Sequence, residues 1–113
     1  MNVVTRARVE RRRELIRQGL GPLYDRIHQI LLKHNPIGVD IARGDARDDY
    51  GLPVGTLIPR LHLTSTRDDL ARALFTEMQH WYASEAGTME RYIATADEIW
   101  QAWTEFQQGR ISN

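Results

Sequence analysis

Cysteine is missing altogether from this 113-residue chain. That removes disulfides, thiolate nucleophiles and Cys-ligated zinc together. Lysine occurs once, at Lys33, beside 14 arginines. Such a bias reads as the codon usage of a GC-rich bacterial genome rather than as a physical requirement. No apolar run approaches the ~20 residues that span a bilayer, and the opening MNVVTRARVERRR lacks the apolar segment of a secretory signal. These absences place the chain in the cytoplasm. Catalytic inventory is equally thin. There is no G-x-x-x-x-G-K-[ST] loop and no nucleophile with an evident base. His62 near Ser65 is the nearest pair, and helix capping explains it better. The expectation is that the protein is not an enzyme and carries no cofactor.

What is present is ordinary in amount and uneven in placement. A chain of this length forms one domain and buries roughly 65% of the surface its unfolded form exposes. Its 42% apolar and 27% charged residues suit a soluble globular protein. Formal net charge is zero, yet residues 1–26 hold seven Arg against Glu10, Glu14 and Asp25, and residues 68–105 hold eight acids against Arg72 and Arg91. The plainest reading of this asymmetry is a basic first helix packed beside acidic last ones; an interaction surface is the alternative.

Periodicity predicts helices. Residues 5–19 read as one, with Thr5 as N-cap and sparse apolar positions Val9, Leu15, Ile16 and Leu20. Gly19, Gly21 and Pro22 break the chain, and Pro22 suits the first turn of a second helix carrying Leu23, Ile27, Ile30, Leu31 and His34. Asn35 fits a left-handed C-terminal position and Pro36 forbids continuation. Residues 37–52 alternate apolar, charged and glycine, and read as a long acidic loop bounded by Pro36 and Pro53, with Gly38, Gly44 and Gly51 shaping it. Pro53 opens a short helix through Leu57-Ile58, or Thr56–Leu63 forms a short strand; nothing local decides between them. Ser65 or Thr66 caps the next helix, whose stripe is Leu70, Leu74, Met78 and Trp81. After Gly87, Thr88 precedes a last broad stripe that includes Tyr92, Ile93, Ala96, Ile99, Trp100 and Trp103. The expected fold is all-α, about four helices, with a C-terminal antiparallel helical hairpin and one long irregular acidic loop. Residues 1–20 form an Arg-rich helix or arm, 21–109 a single helical domain, and 110–113 a tail.

Several constellations carry chemistry in other proteins and are weaker here. Glu77 and His80 form one E-x-x-H step, whereas a di-iron bundle needs two such steps and further Glu; a chance pairing on a solvated face is the reading. The His residues 28, 34, 62 and 80 form no H-x-x-x-H pair. Asp40, Asp45, Asp48 and Asp49 offer oxygen ligands, but their spacing does not match a calcium loop and Arg43 and Arg47 lie among them. No metal is expected. Arg6, Arg8, Arg11, Arg12, Arg13 and Arg17 suit phosphate neutralisation, though no aromatic residue is interleaved and the pI is near 6.9.

The run Asn35-Pro36-Ile37-Gly38, then Asp48-Asp49-Tyr50, then Val54-Gly55-Thr56-Leu57-Ile58-Pro59-Arg60-Leu61, followed by two Trp- and Phe-bearing amphipathic helices, resembles a group of small bacterial helical domains of unassigned function. Some domains of this kind look like immunity proteins that accompany polymorphic toxins. The resemblance spans roughly residues 23–106 and carries over no catalytic residues. It implies a protein-binding module that neutralises a basic toxin domain by direct binding. Acidic contacts suit a basic cleft, so the expected contacts are Asp40, Asp45, Asp48, Asp49 and Tyr50. Glu90, Asp97 and Glu98 form a second acidic patch. The alternative is a nucleic-acid-associated regulator using the Arg-rich first helix. A homo-oligomer joining basic and acidic helices is a third arrangement.

Overall fold

The structure, a computed structural model, describes residues 3–38 and 46–109. These form five α-helices: α1 Val3–Arg17, α2 Gly21–His34, α3 Ala46–Leu57, α4 Arg67–Tyr82 and α5 Ile93–Gln107. No strand occurs among the described residues. The all-α expectation holds, with one helix more than the pattern suggested.

Local chemistry explains most of the boundaries. Gly19, at φ 79°, ends α1. The Leu20 N–H donates to the Leu15 carbonyl at 2.8 Å and the Gly19 N–H to the Ile16 carbonyl at 3.0 Å, the paired bonds of a Schellman turn. Asn35 takes φ 46° at the end of α2 and donates its N–H to the Leu31 carbonyl, as an asparagine before proline should. Thr66, not Ser65, caps α4. Its hydroxyl accepts from the Asp69 N–H at 3.1 Å while the Asp69 carboxylate accepts from the Thr66 N–H at 3.2 Å, a reciprocal capping box.

Three expectations need correction. The segment read as an irregular loop through residue 52 is helical from Ala46, and Pro53 lies inside α3 rather than at its start. An interior proline costs about 3 kcal/mol in an isolated helix. Here Tyr50, Pro53, Val54 and Leu57 are all buried, so tertiary packing outweighs the local penalty. Thr56–Leu63 is not a strand: α3 runs to Leu57 and a 3-10 segment follows over Ile58–Leu63. Finally, α1 begins at Val3, ahead of the Thr5 cap position.

α3 lies at the centre, packing against α1, α2 and α4. The Tyr24 hydroxyl of α2 donates to the Gly51 carbonyl at 3.2 Å in the buried interior. α1 joins the same core through Leu15, which is almost fully buried. α4 and α5 pack on each other through two 3-10 turns, Ala83–Ala86 and Met89–Tyr92. Phe75 meets Tyr92 and Arg67 reaches Asp97, so numbering falls along α4 as it rises along α5, the sense of an antiparallel hairpin. The predicted stripes are largely inside, with two exceptions: Ile16 is 46% and Ile93 is 50% exposed.

Candidate functional site

Of the contacts expected on the acidic segment, the structure bears on Tyr50. Asp40 and Asp45 lie outside the described residues. Asp48 and Asp49 lie in the first turn of α3. Tyr50 is not a surface contact: it is fully buried. Its hydroxyl donates to Asn35 Oδ1 at 2.7 Å and accepts from the Ile37 N–H at 3.2 Å. A phenol in an apolar core needs a polar partner for its oxygen, and Tyr50 finds two in the turn that closes α2.

The second acidic patch divides in two. Glu98 is tied down: Lys33 Nζ donates to its Oε1 at 2.7 Å, and His34 Nε2 lies 3.3 Å from the same oxygen. Lys33 holds the Glu98 carboxyl below the usual glutamate range against desolvation, with His34 adding to it. Glu90 and Asp97 are exposed. The Glu90 carboxyl is also held low, by its own backbone N–H and the Thr88 hydroxyl. Arg67 stands 3.9 Å from Asp97, at the outer limit of an ion pair. Three and four residues either side of half-exposed Ile93, Glu90 and Asp97 fall on its side of the chain.

The arginines of α1 point to different tasks. Arg12 bridges both carboxylate oxygens of Asp25 at 3.1 Å and lies 5.9 Å from the Tyr24 ring centroid, so it fastens α1 to α2. The Arg11 stem covers Gly55 of α3; a Cβ at residue 55 would stand 2.5 Å from Arg11 Cγ. Arg6, Arg13 and Arg17 are exposed, share one side of the helix by their spacing, and have no ion pair among the described residues.

A constellation the sequence did not single out lies between α1, α3 and α4. Glu77 is only 5% exposed, so its reading as part of a solvated face is wrong. Arg60 Nε stands 2.9 Å from its Oε1. The Thr56 hydroxyl donates to its Oε2 at 3.0 Å and accepts from Trp81 Nε1 at 3.1 Å. A buried carboxylate demands such partners. Thr56, Glu77 and Arg60 of this chain line a cleft of about 390 Å³ together with Arg11, Gly55, Pro59, Thr76 and His80. A side chamber of about 160 Å³, sharing Arg11 and Thr56, is lined by Ala7, Gly51, Leu52 and Trp81. One signal was legible: Glu77 falls seven residues after Leu70 and three after Leu74, on the apolar stripe of α4. An acid there announces a buried partner. Arg60, 17 residues earlier in a 3-10 segment, carried no such mark.

Among the described residues no three His, Asp or Glu side chains converge as a metal site requires, and no helix is long and apolar enough to cross a membrane. Compared with protein-family models, curated proteins and solved structures, the chain finds no match.

Proposed function

We propose that this chain is a non-enzymatic protein-binding module of the immunity type, acting in the cytoplasm by covering the basic surface of a toxin domain. The observation that carries the reading is Ile93: it is 50% exposed at the start of α5, with exposed Glu90 and Asp97 on its side. An apolar anchor inside a charged rim is how protein contacts are built, and acids there favour fast encounter with a basic partner. The contact face is therefore the outer side of α5 rather than Tyr50, and Glu98 belongs to the scaffold. The test is affinity capture in parallel with the parent chain and an Ile93→Arg/Glu90→Lys double variant. A stoichiometric partner with a toxin-like domain, kept by the parent and lost by the variant, supports the reading. Equal retention by both, or nucleic acid without protein, overturns it.

A second reading rests on Arg6, Arg13 and Arg17, the outward stripe of α1. It is nucleic-acid association through phosphate neutralisation, steeply weakened by salt. Because Leu15 belongs to the core, the informative variant is Arg6/Arg13/Arg17→Gln rather than deletion of the helix. Nucleic-acid binding unchanged in that triple variant ends this reading.

A further inference from the structure

We propose that the cleft between α1, α3 and α4 binds a small molecule carrying an oxyanion, a carboxylate or phosphate, held between Arg60 and Arg11 with a flat apolar portion against Trp81. This site uses none of the residues of the α5 face, so it stands or falls separately from the immunity reading.

Arg60 Nε is fixed against the buried Glu77 carboxylate at 2.9 Å. Neither Nη has a hydrogen-bond acceptor among the described residues. The guanidinium is half exposed, oriented from behind, with its fork open. Such a fork matches a carboxylate or phosphate in geometry, and anchoring it beforehand reduces the entropy lost on binding. Glu77 cannot itself serve as the ligand's partner: its side chain is 6% exposed, and its oxygens already face Arg60 and Thr56.

Arg11 supplies a second cation on the same cleft. Its own contact with Glu14 is loose, at 3.6 Å. Its position is set by the missing side chain of Gly55, over which its stem lies. Beyond the Arg60–Glu77 pair, Arg11 is the other arginine on the lining, and its counter-ion Glu14 lies outside that lining. A volume of about 390 Å³ falls at the lower end of small-molecule pockets, roughly 300–1,000 Å³. The side chamber adds Ala7, Leu52 and Trp81 beside Arg11. The combination selects an anionic head on a compact ring.

The experiment titrates the full chain with inorganic phosphate, phenyl phosphate, benzoate and, as a neutral control, phenol. It follows the Trp81 indole N–H and the Arg60 Nε–H by NMR, the former identified with Trp81→Phe. Saturable shifts of both signals with phenyl phosphate or benzoate, and none with phenol, are expected. Response to phosphate esters alone assigns a phosphorylated ligand; response to benzoate alone assigns a carboxylate. Arg60→Gln should weaken binding at least tenfold. Arg11→Gln, at a half-exposed residue outside the Glu77 pair, should do the same without touching the core. Gly55→Ala should reproduce the Arg11 defect by displacing its stem. No saturable shift with any anion, or affinities unchanged in both arginine variants, overturns the proposal.

Discussion

The Tyr50 hydroxyl lies 2.7 Å from Asn35 Oδ1 and joins the first turns of α3 to the left-handed residue that ends α2. One side chain thus ties α3 to the turn that closes α2. The same oxygen takes the Ile37 N–H, which the turn itself does not satisfy. Tyr50→Phe keeps the ring and deletes both bonds. It is expected to destabilise the fold by about 1–3 kcal/mol, the cost of stranding partly buried polar groups. Urea denaturation of the two proteins measures it, and a difference near zero would show that water replaces the phenol.

Glu77→Leu is a sharper test of the buried pair. Losing one partner of a fully buried ion pair costs about 3–5 kcal/mol because the other charge is stranded. Arg60 is half exposed and can return to water, and the Thr56 hydroxyl can turn to the Leu52 or Pro53 carbonyl, each 3.3 Å away. The expected cost is therefore under about 2 kcal/mol by the same comparison. A measured loss of the full amount would mean that Arg60 is held in place by the cleft.

The capping box gives a prediction in pH. The Ser65 N–H is the largest influence holding the Asp69 carboxyl below its usual 3.8, against desolvation, with Arg72 and the Thr66 N–H adding to it. A carboxyl depressed in the folded state stabilises above its unfolded value and loses that contribution as pH falls through the folded one. Asp69→Asn should be less stable than the parent at neutral pH, with the gap closing on acidification. Thr66→Ala removes the other half of the box and should cost about 1 kcal/mol. Thermal melts at neutral and acid pH read both effects.

Glu98 should titrate below an ordinary glutamate, since Lys33 and His34 favour its charged form. Lys33→Met removes the larger influence and should move the midpoint back up. Carbon-detected NMR of the carboxyl resolves it. An unmoved midpoint would assign the effect to His34 at the end of α2.

Much of the helical plan was readable because it depends on neighbours in sequence. Asn35-Pro36 had to end α2: proline forbids the next helical residue and asparagine tolerates the left-handed turn. Ser65 with Asp68 and Thr66 with Asp69, each three apart, both offered a cap for α4, and the structure uses the second. The Leu70–Leu74–Met78 stripe had to face inward. Where reading failed, remote contacts had reversed a local preference. The glycines and proline of residues 51–55 argue against a helix, yet burial of Tyr50, Val54 and Leu57 among α1, α2 and α4 holds one together. Tyr50 looked like a contact because it follows two aspartates, and only packing shows that its ring is core.

The candidate sites divide along the same line. The composition and spacing of the chain determined by themselves that it is all-α, without cysteine chemistry, with basic and acidic segments at opposite ends. Only the tertiary structure decided which charges are spent on the fold and which are left over. Arg12 is spent on Asp25, Lys33 on Glu98 and Glu77 on Arg60, while Arg6, Arg13, Arg17, Glu90 and the Nη fork of Arg60 remain outward. Ion pairing acts across space between residues distant in sequence, 65 positions for Lys33 and Glu98. No local pattern encodes such a partner, so the surplus of charge that a binding surface needs becomes visible only once the helices are packed.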